Sequence, residues 1–173
     1  MRVVSNAGPI IHLSWIGRLD LLPTLFEEVL VPMTVREEVL RAGPHVPGIQ
    51  AIRDAFASGW LRVQPVLDMV AVQRLMTELD RGESEAIVLM RETRAGMLLL
   101  DERRARARAG REGLRLSGTI GILQQARDRG LVPAVTPLLE DLRRYGFRVS
   151  PSWPSTCGEK RSKPEDGPAA RGA

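Results

Sequence analysis

The sequence predicts a three-layer α/β/α domain with a central, mostly parallel sheet, and three observations carry that expectation. Short apolar runs alternate with longer segments of helical periodicity through most of the chain, the pattern of a parallel sheet covered by helices. One run, Met97-Leu98-Leu99-Leu100, is wholly apolar and bounded by Gly96 and Asp101, as suits a central strand buried on both faces. Amide and acidic residues stand where strands end: Asn6 follows Val3-Val4-Ser5, and Asp101 follows Leu100. An open parallel sheet delivers such positions to one edge, where ligands bind.

The elements follow in order. Residues 2–6 read as a first strand. Pro9 to Trp15 has helical spacing, and Leu19 to Phe26 is a second short helix beyond Gly17. Val29 to Val31 is a strand closed by Pro32, and Thr34 is placed to cap a helix from Val35 to Arg41 that Gly43-Pro44 stops. Ile49 to Ala57 is helical and ends at Gly59; Leu61 to Val63 alternates as a strand before Pro65. Val70 to Leu79 and Glu83 to Arg94 read as helices separated by Asp80-Arg81-Gly82. Beyond the 97–100 strand come an Arg-rich helix from Glu102 to Glu112, a short strand from Leu114 to Ser117, and a helix from Thr119 to Arg129 ended by Gly130. A last helix starts at Thr136 with Pro137 in its first turn and stops before Gly146. Phe147 to Ser150 is a candidate closing strand. After Pro151 the composition turns to Ser, Pro, Gly and scattered charge. Such a segment has little to bury. The expected organisation is one domain over residues 1–150 and a disordered tail over 151–173.

Composition narrows the function classes. The 173 residues suffice for one domain with a proper core. No apolar run is long enough to span a membrane, and the opening lacks the pattern of a signal peptide. The expected location is the cytoplasm. The single cysteine, Cys157, excludes an internal disulfide and a thiolate metal site. The formal net charge is +4, and the only lysines are Lys160 and Lys163. Arginine offers planar, bidentate recognition of phosphate, although a charge this small does not establish nucleic-acid binding.

Oxygen ligands gathered at one sheet edge suit a hard cation such as Mg²⁺ or Mn²⁺. Glu37 and Glu38 are adjacent on a helix and point about 100° apart, so one of them faces such a site. Glu83 and Glu85 open a later helix, where an acid also favours the helix dipole. Asp101 is placed either to serve the site or to cap the next helix. Arg103, Arg104, Arg106, Arg108 and Arg111 form the densest basic cluster, read either as a phosphate-binding rim or as a solvated face paired with Glu102 and Glu112. His12 lies in an apolar helix and reads as a core or boundary residue; His45 reads as exposed; Trp15 and Trp60 read as core.

With these motifs in view, the chain resembles the PIN-domain family of Mg²⁺/Mn²⁺-dependent ribonucleases. It is most similar to a compact prokaryotic subgroup of nucleic-acid-binding, toxin-like members. The resemblance rests on Val-Val-Ser-Asn-Ala-Gly-Pro-Ile-Ile, Gly-Arg-Leu-Asp-Leu-Leu, Val-Pro-x-x-Val-x-Glu-Glu-Val, Gly-Glu-Ser-Glu-Ala-Ile, Leu-Leu-Leu-Asp-Glu-Arg, Gly-Leu-Arg-Leu-Ser-Gly-Thr-Ile-Gly-Ile-Leu and Gly-Leu-Val-Pro-Ala-Val, in that order. It implies an acidic quartet whose positions fall on Asn6, on Glu38 with Glu37 as alternative, on Glu85 with Glu83 as alternative, and on Asp101. Glu85 is preferred because Glu-Ala-Ile resembles the Asp-Ala-Leu common at that place. Thr119, opening a helix after a strand, is expected to face the same site. Arg103, Arg104, Arg108 and Thr119 are the expected RNA contacts.

The resemblance further implies RNA phosphodiester hydrolysis, a small antitoxin protein as partner, and a homodimer. The departure is Asn6, an amide where the family has an acid. Its oxygen can ligate a hard cation but adds no charge, which lowers the expected metal affinity. That departure also motivates the alternative reading, a weak or inactive module that binds RNA or a protein partner.

Overall fold

The computed structural model describes residues 1–148 apart from Ala42 and Pro44. Five strands form one sheet: β1 (Arg2–Ser5), β2 (Glu28–Val31), β3 (Leu61–Val63), β4 (Met97–Leu99) and β5 (Leu116–Ser117). Their spatial order is β3-β2-β1-β4-β5, and every neighbouring pair is parallel. The helices are α1 (Ala7–Trp15), α2 (Leu21–Leu25), α3 (Met33–Leu40), α4 (Ile49–Ala57), α5 (Met69–Leu75), α6 (Arg81–Thr93), α7 (Arg103–Arg111), α8 (Thr119–Asp128) and α9 (Thr136–Arg144).

Strand side chains alternate between two cores, as the two-residue period of a strand requires. Val3, Val29, Val31 and Leu99 face one core, built with α1, α2, α3, α4, α8 and α9. Val4, Leu30, Leu98 and Leu100 face the other, built with α5, α6 and α7. These are the three expected layers. The apolar run at 97–100 occupies a central strand with Leu98, Leu99 and Leu100 fully buried.

The order of strands places the site. From β1 the chain moves outward through β2 and β3, then crosses back to β4 on the other side of β1. The gap between the carboxyl ends of β1 and β4 is therefore a topological switch point. Asn6 follows β1 there, and its N–H donates to Leu99 O at 2.9 Å.

Several boundaries differ from the sequence reading. Pro32 cannot donate to a sheet ladder; α3 starts directly after it, so Thr34 sits inside the first turn and caps nothing. The expected linker at Asp80-Arg81-Gly82 is the N-cap and first turn of α6. Asp80 and Glu83 close a capping box, in which Asp80 N–H donates to Glu83 Oε2 at 3.2 Å. The helix expected to reach Leu79 stops at Leu75 and passes into turns. Phe147 and Arg148 are not in a strand; Val149, Ser150 and the expected tail at 151–173 lie outside the described residues. No helix among the described residues is long and apolar enough to cross a membrane.

Candidate functional site

A cleft of about 420 Å³ opens at the carboxyl edge of the sheet, over the β1–β4 switch point. Three groups of side chains form it. Asn6 and His12 come from the end of β1 and from α1, and Glu38 comes from α3. Asp80 and Glu83 come from the start of α6. Asp101, Glu102 and Arg104 follow β4.

The acids divide into two environments. Asp101 is held: its Oδ1 accepts the Thr119 N–H at 2.7 Å, its Oδ2 accepts the Thr119 hydroxyl at 2.6 Å, and His12 Nδ1 lies 2.7 Å from Oδ2. The donor N–H belongs to the first residue of α8, one of the amides a helix leaves without an internal partner. Gly118 permits the approach, since a Cβ there would fall 2.6 Å from Asp101 Oδ1.

Among the described residues Glu38 and Glu83 have no comparable set of donors, Glu83 accepting only the Asp80 N–H. Partial burial of its carboxyl, on a residue that is exposed overall, holds Glu38 above its ordinary pKa; the attraction of Arg41 opposes this, and the charge of Asp80 adds to it. Burial likewise raises Glu83, whose side chain is part of a residue only 8% exposed. The hydrogen bond from Asp80 N–H opposes that rise, and the charges of Asp80, Glu102 and Glu38 reinforce it. Like charges gathered in a confined space raise one another's pKa.

Asn6 completes this wall. Its Oδ1 is buried and accepts no hydrogen bond from the protein. A buried acceptor left without a donor costs about 1–3 kcal/mol, so a partner from outside the chain is expected there. The donor chemistry is two carboxylates and a neutral amide oxygen, which fits a hard divalent cation. Among the described residues no three His, Cys, Asp or Glu side chains form a ready-made metal cage. Glu38, Glu83 and Asp101 line one cleft without closing on a common point, so the amide oxygen of Asn6 is needed beside them.

The expected site residues are therefore distributed as follows. Asn6, Glu38 and Asp101 line one cleft. Glu83 lines it too, whereas Glu85 does not: Glu85 is 4% exposed and accepts a hydrogen bond from Arg81 Nε at 2.7 Å. Residues two positions apart on a helix, as Glu83 and Glu85 are, point about 200° apart, so both cannot face one cleft. Glu37 is exposed and outside the cleft lining. Thr119 is fully buried and spent on Asp101, so it has no surface for RNA.

The arginines also separate. Arg104 lines the cleft, and its side chain has no partner among the described residues. Arg103 is exposed on the same helix. Arg108 is ion-paired with Glu112 and lies 4.0 Å from Glu78. Arg106 donates to Leu100 O at 2.7 Å. The cluster is thus part structural brace, part cleft rim.

His12, Asp80 and Glu102 were not among the expected site residues. A signal for His12 exists in the chain: Gly8 and His12 are four residues apart on one face of a helix that begins just after Asn6. The signal for Asp80 is the Asp-x-x-Glu spacing of a capping box.

A family model described as a PIN domain matches residues 2–159. No curated protein matches the chain. The matched family has a nuclease-type fold, is generally dependent on divalent metal and is associated with nucleic-acid binding. The match spans the whole five-stranded parallel sheet and every cleft residue named above, and on that extent the chain belongs to the PIN-domain family.

Proposed function

We propose that this protein is a Mg²⁺- or Mn²⁺-dependent ribonuclease that hydrolyses RNA phosphodiester bonds at this cleft. The observation that carries the reading is the buried, unbonded Asn6 Oδ1 beside two carboxylates whose pKa values are raised by burial and by neighbouring negative charge. Asn6, Glu38, Glu83 and Asp101 would hold the cation. A divalent ion supplies Lewis acidity and a water nucleophile at neutral pH. Glu38 and Glu83 supply the negative charge, and Asn6 supplies an oxygen without charge. Asp101 enters pre-oriented by Thr119. Arg104, which lines the cleft, would take a backbone phosphate, and such a contact gives affinity without sequence readout.

A second reading has one specific observation behind it. Asn6 lowers the charge of the site, which favours a PIN module that binds RNA or a protein without cutting. RNA cleavage in Mn²⁺, with and without chelator, separates the two. Cleavage that chelator stops, that Asp101→Asn abolishes and that Asn6→Asp accelerates supports the enzyme. Wild type and Asn6→Asp both inert on total cellular RNA, with RNA binding retained, supports the module.

The role of toxin, a small antitoxin protein as partner and a homodimer rest on the family resemblance; a cytoplasmic location rests on the sequence, in which no apolar run is long enough to span a membrane. A small reading frame beside the gene whose product co-purifies with this chain and stops cleavage is the test of the pair.

A further inference from the structure

The hydrogen bonds around Asp101 decide where the proton on His12 sits. An ionised carboxylate only accepts. Thr119 has one hydroxyl proton, and it goes to Asp101 Oδ2 at 2.6 Å. Thr119 Oγ1 therefore offers only lone pairs to His12 Nδ1, 3.3 Å away. The proton between His12 Nδ1 and Asp101 Oδ2, at 2.7 Å, must belong to the imidazole. The ring is set by packing: its centroid lies 5.1 Å from that of Trp15 and 4.7 Å, edge-on, from that of Phe147.

We propose that His12 is a positioning residue for Asp101, whose carboxylate it locks together with Thr119. The proposal rests on the metal reading of the cleft. A carboxylate has about four acceptor sites. Thr119 and His12 occupy both sites on Oδ2, and the Thr119 N–H occupies one on Oδ1. One site, on Oδ1, stays open to a cation. Asp101 therefore contributes a single oxygen and cannot turn to clasp an ion with two. The lock joins three distant parts of the chain, α1, the end of β4 and the start of α8, so its geometry is set by the core rather than by a loop. Outer partners of this kind change metal affinity by about 10–100-fold.

Three variants separate the donor from the ring. His12→Phe keeps an aromatic ring and removes the donor. His12→Asn keeps a donor and removes the ring. His12→Ala removes both. Two readouts apply to the full chain: Mn²⁺ affinity by calorimetry, and the Thr119 amide resonance of the metal-free protein. His12→Phe and His12→Ala are expected to weaken Mn²⁺ binding about tenfold or more and to move the Thr119 amide, because the carboxylate it donates to is released. His12→Asn is expected to restore most of both. His12→Phe with unchanged Mn²⁺ affinity and an unmoved Thr119 amide overturns the proposal. Wild-type protein that binds no Mn²⁺ sinks the metal reading instead. The amide then decides alone: a displacement in His12→Phe that His12→Asn reverses upholds the lock, and no displacement overturns it.

Discussion

Glu38 Oε2 and Asn6 Oδ1 flank one backbone position: a Cβ added at Gly82 would stand 3.4 Å from the first and 3.5 Å from the second. The two oxygens arrive from α3 and from the end of β1, and Gly82 arrives in the first turn of α6. The missing side chain keeps the space between them open. Gly82 is not in the left-handed region, so its backbone does not require glycine.

Gly82→Ala therefore separates folding from metal binding. The new methyl makes ordinary contacts, and alanine favours a helix by up to about 1 kcal/mol over glycine. The melting temperature of the chelated protein is expected to hold or rise. Mn²⁺ affinity is expected to fall about tenfold, on the scale of other perturbations beside a metal. Calorimetric titration showing wild-type affinity would place the cation elsewhere.

Glu83 and Glu85 are distinguished by their partners. Glu83 lines the cleft, while Glu85 is bonded to Arg81 one turn earlier on α6. Glu83→Gln is expected to weaken Mn²⁺ binding clearly, and Glu85→Gln to leave it within about twofold while costing some stability, since i,i+4 ion pairs are worth about 0.3–0.5 kcal/mol. The reverse pattern in a titration would return the role to Glu85.

The raised pKa of Glu83 sets a pH dependence. A carboxyl whose folded pKa exceeds its unfolded value, about 4.3, binds its proton more tightly when folded. Its favourable contribution is complete below the unfolded value and is lost as pH rises through the folded one. In chelator, Glu83→Gln is expected to raise the melting temperature at pH 7 and to change it little near pH 4, because Gln keeps the acceptor for Asp80 N–H. Glu38 acts in the same direction, with more solvent screening. Saturating Mn²⁺ should reverse the advantage of the variant at pH 7. A stabilisation equal at both pH values would show that ionisation of Glu83 is not the cause.

Arg104 and Arg108 share one helix and differ in commitments. Arg104→Ala is expected to weaken RNA binding and to flatten its salt dependence by about one phosphate contact. Arg108→Ala, which strips Glu112 of a partner, is expected to lower stability and leave RNA affinity near wild type. Filter binding across a salt series checks both; equal losses would make the whole helix face the RNA surface.

The sequence alone determined the layers of this protein. Short apolar runs between helical segments, and the wholly apolar stretch ending at Asp101, specify buried parallel strands because burial on both faces is written locally in residue type. The same local logic put Asn6 and Asp101 at strand ends. Only the tertiary structure decided which strands are neighbours, and so brought Asn6 beside Leu99 across β1 and β4. It also set the rotation of α6. Residues 82–90 of that helix are all buried, so no polar stripe in the sequence marks its phase, and the choice between Glu83 and Glu85 was left to packing. His12 looked apolar by its neighbours because its partner Asp101 lies 89 positions away. Arg104 and Arg108 are alike in the chain, and what separates them is which acids the fold brings within reach.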